Sequence, residues 1–385
     1  MKRQLFGFNI RRYFLLSIIF TMILCSGCTH DMSKQEINAI DLVLLLGIDY
    51  SEGEYTLTAL YNGSGGGPGS EQSSGGQSSG QSSEQKAQGK GKTAYEALED
   101  MKLKNKKAIT LTQTSTFLIG DGAAMQGLDK SIDFLSRDET IKMEALVYVI
   151  KKMKASDFID AGIKNHQTIH TDLLAIEQKQ AEILTRNDNT MVNILNDMRQ
   201  SYSCVLIPYL ISDKSGYLMD GYAVFDKLRL KDYLDHETSD GVNFIRNIMR
   251  TYPIYLKDQV SLSVSFTKTK LKANIADNQI NVSIKVSFDS MIKEVITKNN
   301  IFALDEINKL TDAQNNYILD ILKKPTDYSR TNGLDILGLA RLVENQNYSE
   351  WKNVEAQWSQ KISEINYTYK IESRISKSFL LGEDQ

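Results

Sequence analysis

The sequence predicts an α+β protein of about three domains, with mixed α/β organisation and β-sheets packed against helices. Two long runs of alternating apolar and polar residues, 260–266 and 280–288, predict an antiparallel strand pair with one buried face. Elsewhere, strand-like runs alternate with amphipathic segments, which is typical of α/β or α+β chains rather than all-β chains. With 385 residues, of which 41% are hydrophobic, the chain can bury several cores.

The first 27 residues have the composition of a lipoprotein signal peptide. Four basic residues and no acidic residue precede an apolar run over 14–25, which is shorter than the roughly 20 residues of a membrane-spanning helix. Ser26 and Gly27 are small and directly precede Cys28. We therefore predict cleavage before Cys28 and lipidation of its thiol. Cys25 stands where such sites usually have a leucine, and Leu24 lies one position earlier.

The alternative is an uncleaved N-terminal membrane anchor. Both interpretations keep the basic residues inside and export the rest of the chain. Removal of residues 1–27, which contain four of the 45 basic and none of the 48 acidic residues, leaves a net charge of −7, and this argues against a nucleic-acid partner. Cys204 is then the remaining thiol. It lies in an apolar run and is predicted to be a core residue, so no disulfide framework is expected.

Composition and periodicity divide the chain further. Residues 62–92, rich in Gly, Ser and Gln, are predicted to form a disordered loop. Before this loop, residues 42–49 and 55–61 predict a β-hairpin, and after it Thr93 and Glu96 predict a capped helix, so the loop lies inside a domain. A helix over 302–322 is expected to end before Pro325. The predicted units are the signal peptide (1–27), an N-terminal domain (28–205), a small middle domain (206–254) and a C-terminal α/β domain (255–385).

The candidates for catalysis or metal binding have better structural explanations. Gly91-Lys92-Thr93 lacks the earlier glycine and the preceding strand of a phosphate-binding loop. His166 and His170 have the spacing of zinc ligands, but no third ligand and no catalytic glutamate accompany them. Trp351 and Trp358, seven residues apart, are expected in a core. The sequence therefore predicts a non-enzymatic protein with no metal and no cofactor.

Several segments together resemble one family, the spore-germination lipoproteins that are C subunits of germinant receptors. After the lipidation signal at Cys28, residues 36–55 resemble the opening strand of the family, with its Gly-Ile-Asp end. Residues 116–150 resemble the strand, helix and Arg-Asp segment, 221–225 the start of the C-terminal region, and 334–351 the Asp-x-x-Gly helix with the following Tyr and Trp. The order and spacing of these segments carry the resemblance.

The resemblance implies a three-domain mixed α/β protein that lacks catalytic machinery. It implies a lipid-anchored protein on the outer face of the spore inner membrane, associated with two membrane partners. These partners are an A subunit with membrane and soluble parts and a B subunit similar to amino-acid permeases. Together such subunits sense a small germinant, although direct binding of a small molecule by this chain stays open. Cys28 is the residue to which the family assigns a defined role.

Two other functions remain as alternatives. An extracytoplasmic solute-binding lipoprotein of a transporter would have a ligand cleft between two lobes and would be stabilised by its ligand. A cell-wall enzyme would need a convergent acid/base pair or a metal site.

Overall fold

The computed structural model describes residues 39–62, 84–165, 168–186, 188–213, 216–256, 260–277, 279–296 and 303–376. The predicted signal peptide, Cys28 and residues 63–83 of the predicted loop lie outside these ranges. From Asp41 onward the chain forms one compact unit, which contains two β-sheets with their helices. The predicted mixed α/β organisation, with sheets packed against helices, is confirmed.

The larger sheet is mixed. Its nine strands are β1 (Ile40–Ser51), β2 (Glu54–Asn62), β3 (Glu84–Gly91), β4 (Ala108–Thr110), β5 (Thr116–Gly120), β6 (Leu146–Ile150), β7 (Val205–Asp213), β8 (Gly216–Asp226) and β9 (Arg229–Tyr233). The order across the sheet is β3-β2-β1-β5-β6-β7-β8-β9, and β4 pairs with β1. Strands β1, β5, β6 and β7 are parallel, and antiparallel strands lie on each side of them.

Helices cover both faces of this sheet. On one face lie α1 (Ala94–Lys104), α2 (Asp121–Gln126), α3 (Leu128–Ser136) and α6 (Met191–Asp197). On the other face lie α4 (Ala155–Lys164) and α5 (Ile169–Ile183). Crossovers between parallel strands place helices on the faces of a sheet, so the central strands are buried on both sides. Accordingly, all five residues of β5 and all five of β6 are buried.

The predicted hairpin over 42–61 is confirmed as β1 and β2, which are joined at Glu52 and Gly53 in left-handed conformations. The predicted loop over 62–92 is wrong for Glu84–Gly91, because these residues form β3 and pair with β2 in continuous register. Backbone pairing needs no apolar side chains. Glycine also has a packing role here, since a Cβ at Gly89 would lie 2.2 Å from the carbonyl oxygen of Ala97 in α1.

The smaller sheet has four strands in the order β10-β11-β12-β13. These are β10 (Tyr252–Leu256), β11 (Val260–Ala276), β12 (Gln279–Val295) and β13 (Asn366–Ser376). The helices of this half are α7 (His236–Ile245), α8 (Leu304–Asn332), α9 (Leu339–Gln346), α10 (Tyr348–Val354) and α11 (Trp358–Lys361), with 3₁₀ turns at Glu355–Gln357 and Ile362–Glu364. They pack against one face of the sheet.

Alternation along β11 and β12 agrees with the predicted antiparallel pair, with one exception. Val264 and Ile284 are buried as expected, but Phe266 is 84% exposed, so its predicted place on the buried face is wrong. The cause is a β-bulge between Ser265 and Lys268, which inserts one residue and reverses the faces of the residues that follow. Phe266 itself adopts φ +52°, a left-handed conformation that is uncommon for an aromatic residue.

The prediction that the helix over 302–322 ends before Pro325 is wrong. Helix α8 continues through Pro325 to Asn332. Pro325 is buried, and α7 approaches it at Gly241, where a Cβ would lie 2.4 Å from the carbonyl oxygen of Ile321. Proline in a helix leaves the carbonyl four residues earlier without its usual donor. Close packing of α7 against this turn stabilises the continuation, which propensity alone disfavours.

Side-chain amides cover one edge of β11. Gln346, at the end of α9, accepts a hydrogen bond from the Ala273 N–H at 2.7 Å and donates one to the Leu271 carbonyl at 3.4 Å. Asn347 donates to the Ala273 carbonyl at 3.0 Å. These amides take the place of a neighbouring strand along part of β11, because β10 pairs only with residues 260–264.

The segment 206–254, predicted as a middle domain, contributes to both halves. It supplies most of β7 together with β8 and β9 of the large sheet, and it also supplies α7 and part of β10 next to the smaller sheet. The division into domains at 28–205, 206–254 and 255–385 stays a prediction.

Candidate interaction sites

The Asp that ends the Gly-Ile-Asp segment forms a buried helix cap. Asp49 is 3% exposed, and its carboxylate accepts hydrogen bonds from the N–H groups of Ala155 (2.7 Å) and Ser156 (2.8 Å) at the start of α4. Burial raises the pKa of Asp49, although these donors partly counter the effect. A Cβ on Gly120 would lie 2.0 Å from Asp49 Oδ1, so glycine at this position makes room for the cap. This pair of residues supports the fold.

The Asp of the Asp-x-x-Gly segment connects the two halves. The donors to the Asp335 carboxylate are the N–H groups of Leu339 and Ala340 (2.8 Å each), the Ser203 hydroxyl (3.1 Å) and the indole N–H of Trp358 (3.3 Å). Asp335 is 2% exposed, and burial raises its pKa against the effect of these donors. Gly338 takes φ +72° just before α9, where glycine is favoured. The motif therefore caps α9 and fixes the segment before β7 onto the C-terminal core.

The Arg-Asp segment differs from both caps because it faces solvent. Arg137 follows α3, and its side chain, 75% exposed, pairs with Asp133 through Nε (2.9 Å) and Nη2 (3.1 Å). Asp138 closes a turn by accepting hydrogen bonds from the N–H and hydroxyl of Thr140 (2.9 and 2.6 Å). These residues lie at the rim of a groove between α1 and α3. We call it the α1–α3 groove.

The α1–α3 groove has an aromatic floor and a volume of about 1000 Å³. The rings of Tyr50 and Tyr55 lie 4.8 Å apart at its base, and Leu98 and Phe134 line its walls. Tyr95 projects from α1 and is 58% exposed. The hydroxyl of Tyr55 is buried and makes no hydrogen bond within the described residues. A bound partner can therefore contact several aromatic rings here.

Charges of both signs surround this floor in equal number. The basic residues that line the groove are Lys92, Lys102, Lys130 and Arg137, and the acidic residues are Asp129, Asp133, Asp138 and Glu139. This balance favours an amphipathic polypeptide with its own mixture of charges over a small anion or cation. Deep apolar pockets with polar rims are typical of protein–protein contacts.

A second, more polar cleft of about 530 Å³ lies between the two halves. Arg186, Arg246 and Arg341 line it together with Asp188 and Asp197. Arg186 pairs with Asp188 at 2.7 Å, and Arg246 donates to the Ile336 carbonyl at 3.2 Å. Burial raises the pKa of Asp197. Arg186 and Asp188 thus neutralise each other, and the positive charges of Arg246 and Arg341 partly counter the effect of burial on the pKa of Asp197.

The motifs considered for catalysis have structural roles where they are described. Thr93 accepts a hydrogen bond from the Glu96 N–H at 3.1 Å, which confirms the predicted cap, and the Glu96 carboxylate accepts one from the Lys92 N–H at 2.7 Å. His166 lies outside the described residues, and His170 is half-buried, which lowers its pKa. Within the described ranges no group of three or more His, Cys, Asp or Glu side chains is arranged to hold a metal ion.

The other residues that the sequence analysis singled out are either buried in a core or lie outside the described ranges. Cys204 is buried, which confirms it as a core thiol, and burial raises its pKa strongly. Trp351 and Trp358 are also buried, with ring centroids 5.1 Å apart. Cys28, the predicted lipidation site, lies outside the described residues. No helix in the described part of the chain is both long and apolar enough to cross a bilayer.

Comparison with known families decides the assignment. A family model described as spore germination protein N-terminal domain matches residues 33–212, and one described as spore germination B3/GerAC like, C-terminal, matches residues 220–378. The chain belongs to the GerAC family of spore germination proteins. The resemblance to C subunits of germinant receptors is therefore confirmed.

Relatives of the GerAC family agree with this assignment. Spore germination protein KC of Bacillus subtilis is 23% identical, in a match that covers 94% of this chain and 95% of that protein. The putative spore germination protein YfkR of the same species is 22% identical and covers 72% of this chain and 74% of its own length. The crystal structure of the GerBC protein shares the fold, with a TM-score of 0.55 and 16% identity over 86% of this chain and 96% of that one.

The α1–α3 groove is not predicted by the sequence. Arg137 and Asp138 belong to a segment that resembles the family, but this resemblance does not predict a groove beside them. Its walls come from helices about 35 residues apart in the chain. Tyr95 was an available signal, because it lies outside the buried face of α1 and is exposed, as Leu103 also is.

Proposed function

We propose that this chain is a non-catalytic subunit of a spore germinant receptor that acts by docking. In this proposal a lipid on Cys28 holds it on the outer face of the spore inner membrane, next to the A and B membrane subunits. Confinement to the membrane plane raises the effective concentration of the chain near such partners. Nutrient-triggered germination then depends on contacts that the folded body makes with these subunits.

One observation carries the docking proposal. Among the family segments, Asp49 and Asp335 are buried helix caps, whereas Arg137 and Asp138 lie at the surface beside an aromatic groove. Residues that cap helices are explained by stability alone. The exposed pair needs another explanation, and the α1–α3 groove supplies one. We propose that an amphipathic segment of another receptor subunit occupies this groove.

A photo-crosslinking amino acid at Tyr95 tests the docking proposal in spore membranes. We expect it to capture a permease-like protein or a partly soluble membrane subunit, because Tyr95 lies in the groove and is 58% exposed. Mass spectrometry identifies the captured protein. The matched control is the same probe at Leu103, which is on α1 and 86% exposed but does not line the groove. Capture of an ATP-driven transporter at Tyr95 would support the solute-binding alternative, and equal capture at both positions would contradict the groove.

The anchor is tested by Cys28→Ala. We expect this variant to retain its melting temperature and to lose most of its membrane retention, since the predicted lipid attaches to the thiol of Cys28 and stable anchoring depends on the acyl chains. Fractionation of membranes and soluble material measures the retention. If the variant stays in the membrane fraction, an uncleaved N-terminal helix anchors the chain instead.

A further inference from the structure

No helix or strand among the described residues covers the outer face of the smaller sheet, and this face is basic. From the bulge to the hairpin turn, the outward side chains of β11, β12 and β13 include six cationic residues: Lys268, Lys270, Lys272, Lys285, Lys370 and Arg374. The acidic residues on the same face are Asp289 and Glu372, and Asp277 lies in the turn at its end. A chain that is acidic overall thus concentrates positive charge on one flat surface. We call it the basic face.

Ion pairs neutralise only part of this charge. Glu372 pairs with both Lys285 (2.7 Å) and Lys370 (3.0 Å), and Asp289 pairs with Arg374 (2.9 Å). The three lysines of β11 make no ion pair within the described residues, and all three are exposed. Lys270 also stands directly opposite Lys285, a like-charge pairing that costs stability in a sheet. The charge is therefore not explained by the fold itself.

Phe266 lies at the edge of this charge. It lines a shallow depression with Asp289, Glu372 and Arg374, and 84% of its surface is exposed. Its φ of +52° would suit glycine better, so the backbone is strained at the point where an aromatic ring is presented to solvent. Strain of this kind persists where the surrounding structure enforces it, and it is concentrated at functional sites.

We propose that the basic face, with Phe266 as its apolar contact, docks onto an anionic lipid surface. The inference rests on the proposed function, in which the lipid on Cys28 already holds the chain at a membrane. Lysines above anionic headgroups and an aromatic ring at the level of the headgroups are the chemistry that such an interface binds. An anchor alone fixes distance but not orientation. Docking of the basic face fixes which side of the body the membrane partners meet.

The test uses the lipidated protein in vesicles of phosphatidylcholine, with or without phosphatidylglycerol, that carry a lipid-bound quencher. A fluorophore on Ser265→Cys reports the basic face, and one on Leu103→Cys is the control. The native Cys204 is buried and does not compete for the label. We expect several-fold stronger quenching at position 265 than at 103 in anionic vesicles, and no such difference in neutral ones. Equal quenching at both positions, or equal quenching in both vesicle types, would overturn the proposal.

Charge reversal identifies the residues responsible. Lys268→Glu, Lys270→Glu and Lys272→Glu together should abolish the selective quenching. The matched control reverses three exposed lysines outside both the basic face and the α1–α3 groove, Lys106, Lys179 and Lys231, and should retain the selective quenching. Loss of the signal in both triple variants would show an effect of net charge and reject a specific face.

Phe266→Gly separates the surface role from a structural one. Glycine adopts the left-handed conformation without cost, so the melting temperature should stay the same or rise while quenching at 265 falls. A lower melting temperature with unchanged quenching would make Phe266 a structural residue and contradict its proposed contact with lipid.

A flotation assay distinguishes the proposed basic face from the proposed lipid anchor. Protein that floats without quenching at 265 retains the anchor and rejects the basic face, and protein that binds only anionic vesicles rejects the anchor.

Discussion

The two sheets of this protein bury their strands in different ways. In the large sheet, adjacent residues of β5 such as Phe117 and Leu118 are both fully buried, because helices cover both faces. In the smaller sheet, Ile284 of β12 is fully buried whereas its neighbour Ser283 is exposed. The difference shows where surface is available for partners. Over its central strands the large sheet presents helices and the grooves between them, while the smaller sheet presents an outer face that no described helix covers.

Charged substitutions test this comparison most severely. Phe117→Lys and Leu118→Lys should each destabilise the protein by more than about 4 kcal/mol, because either change buries a charge without a partner. In β12, Ile284→Lys should do the same, but Ser283→Lys should change the free energy of unfolding by less than about 0.5 kcal/mol. Urea denaturation measures each value. A large loss for Ser283→Lys would mean that something covers the outer face.

The two buried caps allow a comparison of intermediate size. Asp335→Ala should cost about 3–4 kcal/mol, because it leaves several buried donors unpaired, and Asp49→Ala, with two donors, about 2 kcal/mol. Denaturation followed by tryptophan fluorescence is suited to the first variant, since Trp358 contacts Asp335 directly. Asp305→Ala, at the exposed start of α8, is the control and should cost less than about 0.5 kcal/mol. Equal losses of stability in all three variants would show that the buried caps contribute no more than an exposed carboxylate.

Gly120→Ala sharpens the prediction for Asp49. Its Cβ would lie 2.0 Å from the carboxylate, so the substitution should displace the cap and cost about as much as Asp49→Ala. The double variant should then be only slightly less stable than either single variant. Full additivity in this cycle would mean that Gly120 acts on the fold independently of Asp49.

The smallest expected effect concerns Asp240 in α7. Burial raises its pKa to about 6, although His236 at 3.5 Å acts in the opposite direction. A raised pKa in the folded state favours the protonated native form, so this contribution to stability is present at low pH and is lost as the pH rises through 6. Between pH 7 and pH 5 the native protein should therefore gain about 1 kcal/mol relative to Asp240→Asn. Melting temperatures of both proteins at the two pH values measure this gain. If both melting temperatures shift by the same amount, Asp240 is not the group responsible.

The sequence predicted best what short-range periodicity controls. The β1–β2 hairpin, the alternation along β12 and the cap at Thr93 all depend on residues close together in the chain, and each is confirmed. The errors arose where distant contacts override local pattern. Pro325 continues a helix because Gly241 lets α7 pack against it, and Gly89 lies in a strand because α1 needs a close approach.

The exposure of Phe266 was not predictable from alternation. A period of two assigns every second residue to one face, and a single inserted residue reverses the assignment without any change in composition. The α1–α3 groove was missed for a related reason, because its aromatic floor and its rim come from separate parts of the chain. Both features depend on how elements meet rather than on the propensity of any one segment.

The amide cover on β11 has a consequence for self-association. A long strand with a free edge presents N–H and C=O groups on which an identical chain can add a strand, and this is a common route to aggregation. Gln346 and Asn347 occupy these groups at Leu271 and Ala273. In the proposed membrane location, a high local concentration of copies would favour such strand addition. Two polar side chains at the end of α9 thus help to prevent strand addition between neighbouring copies.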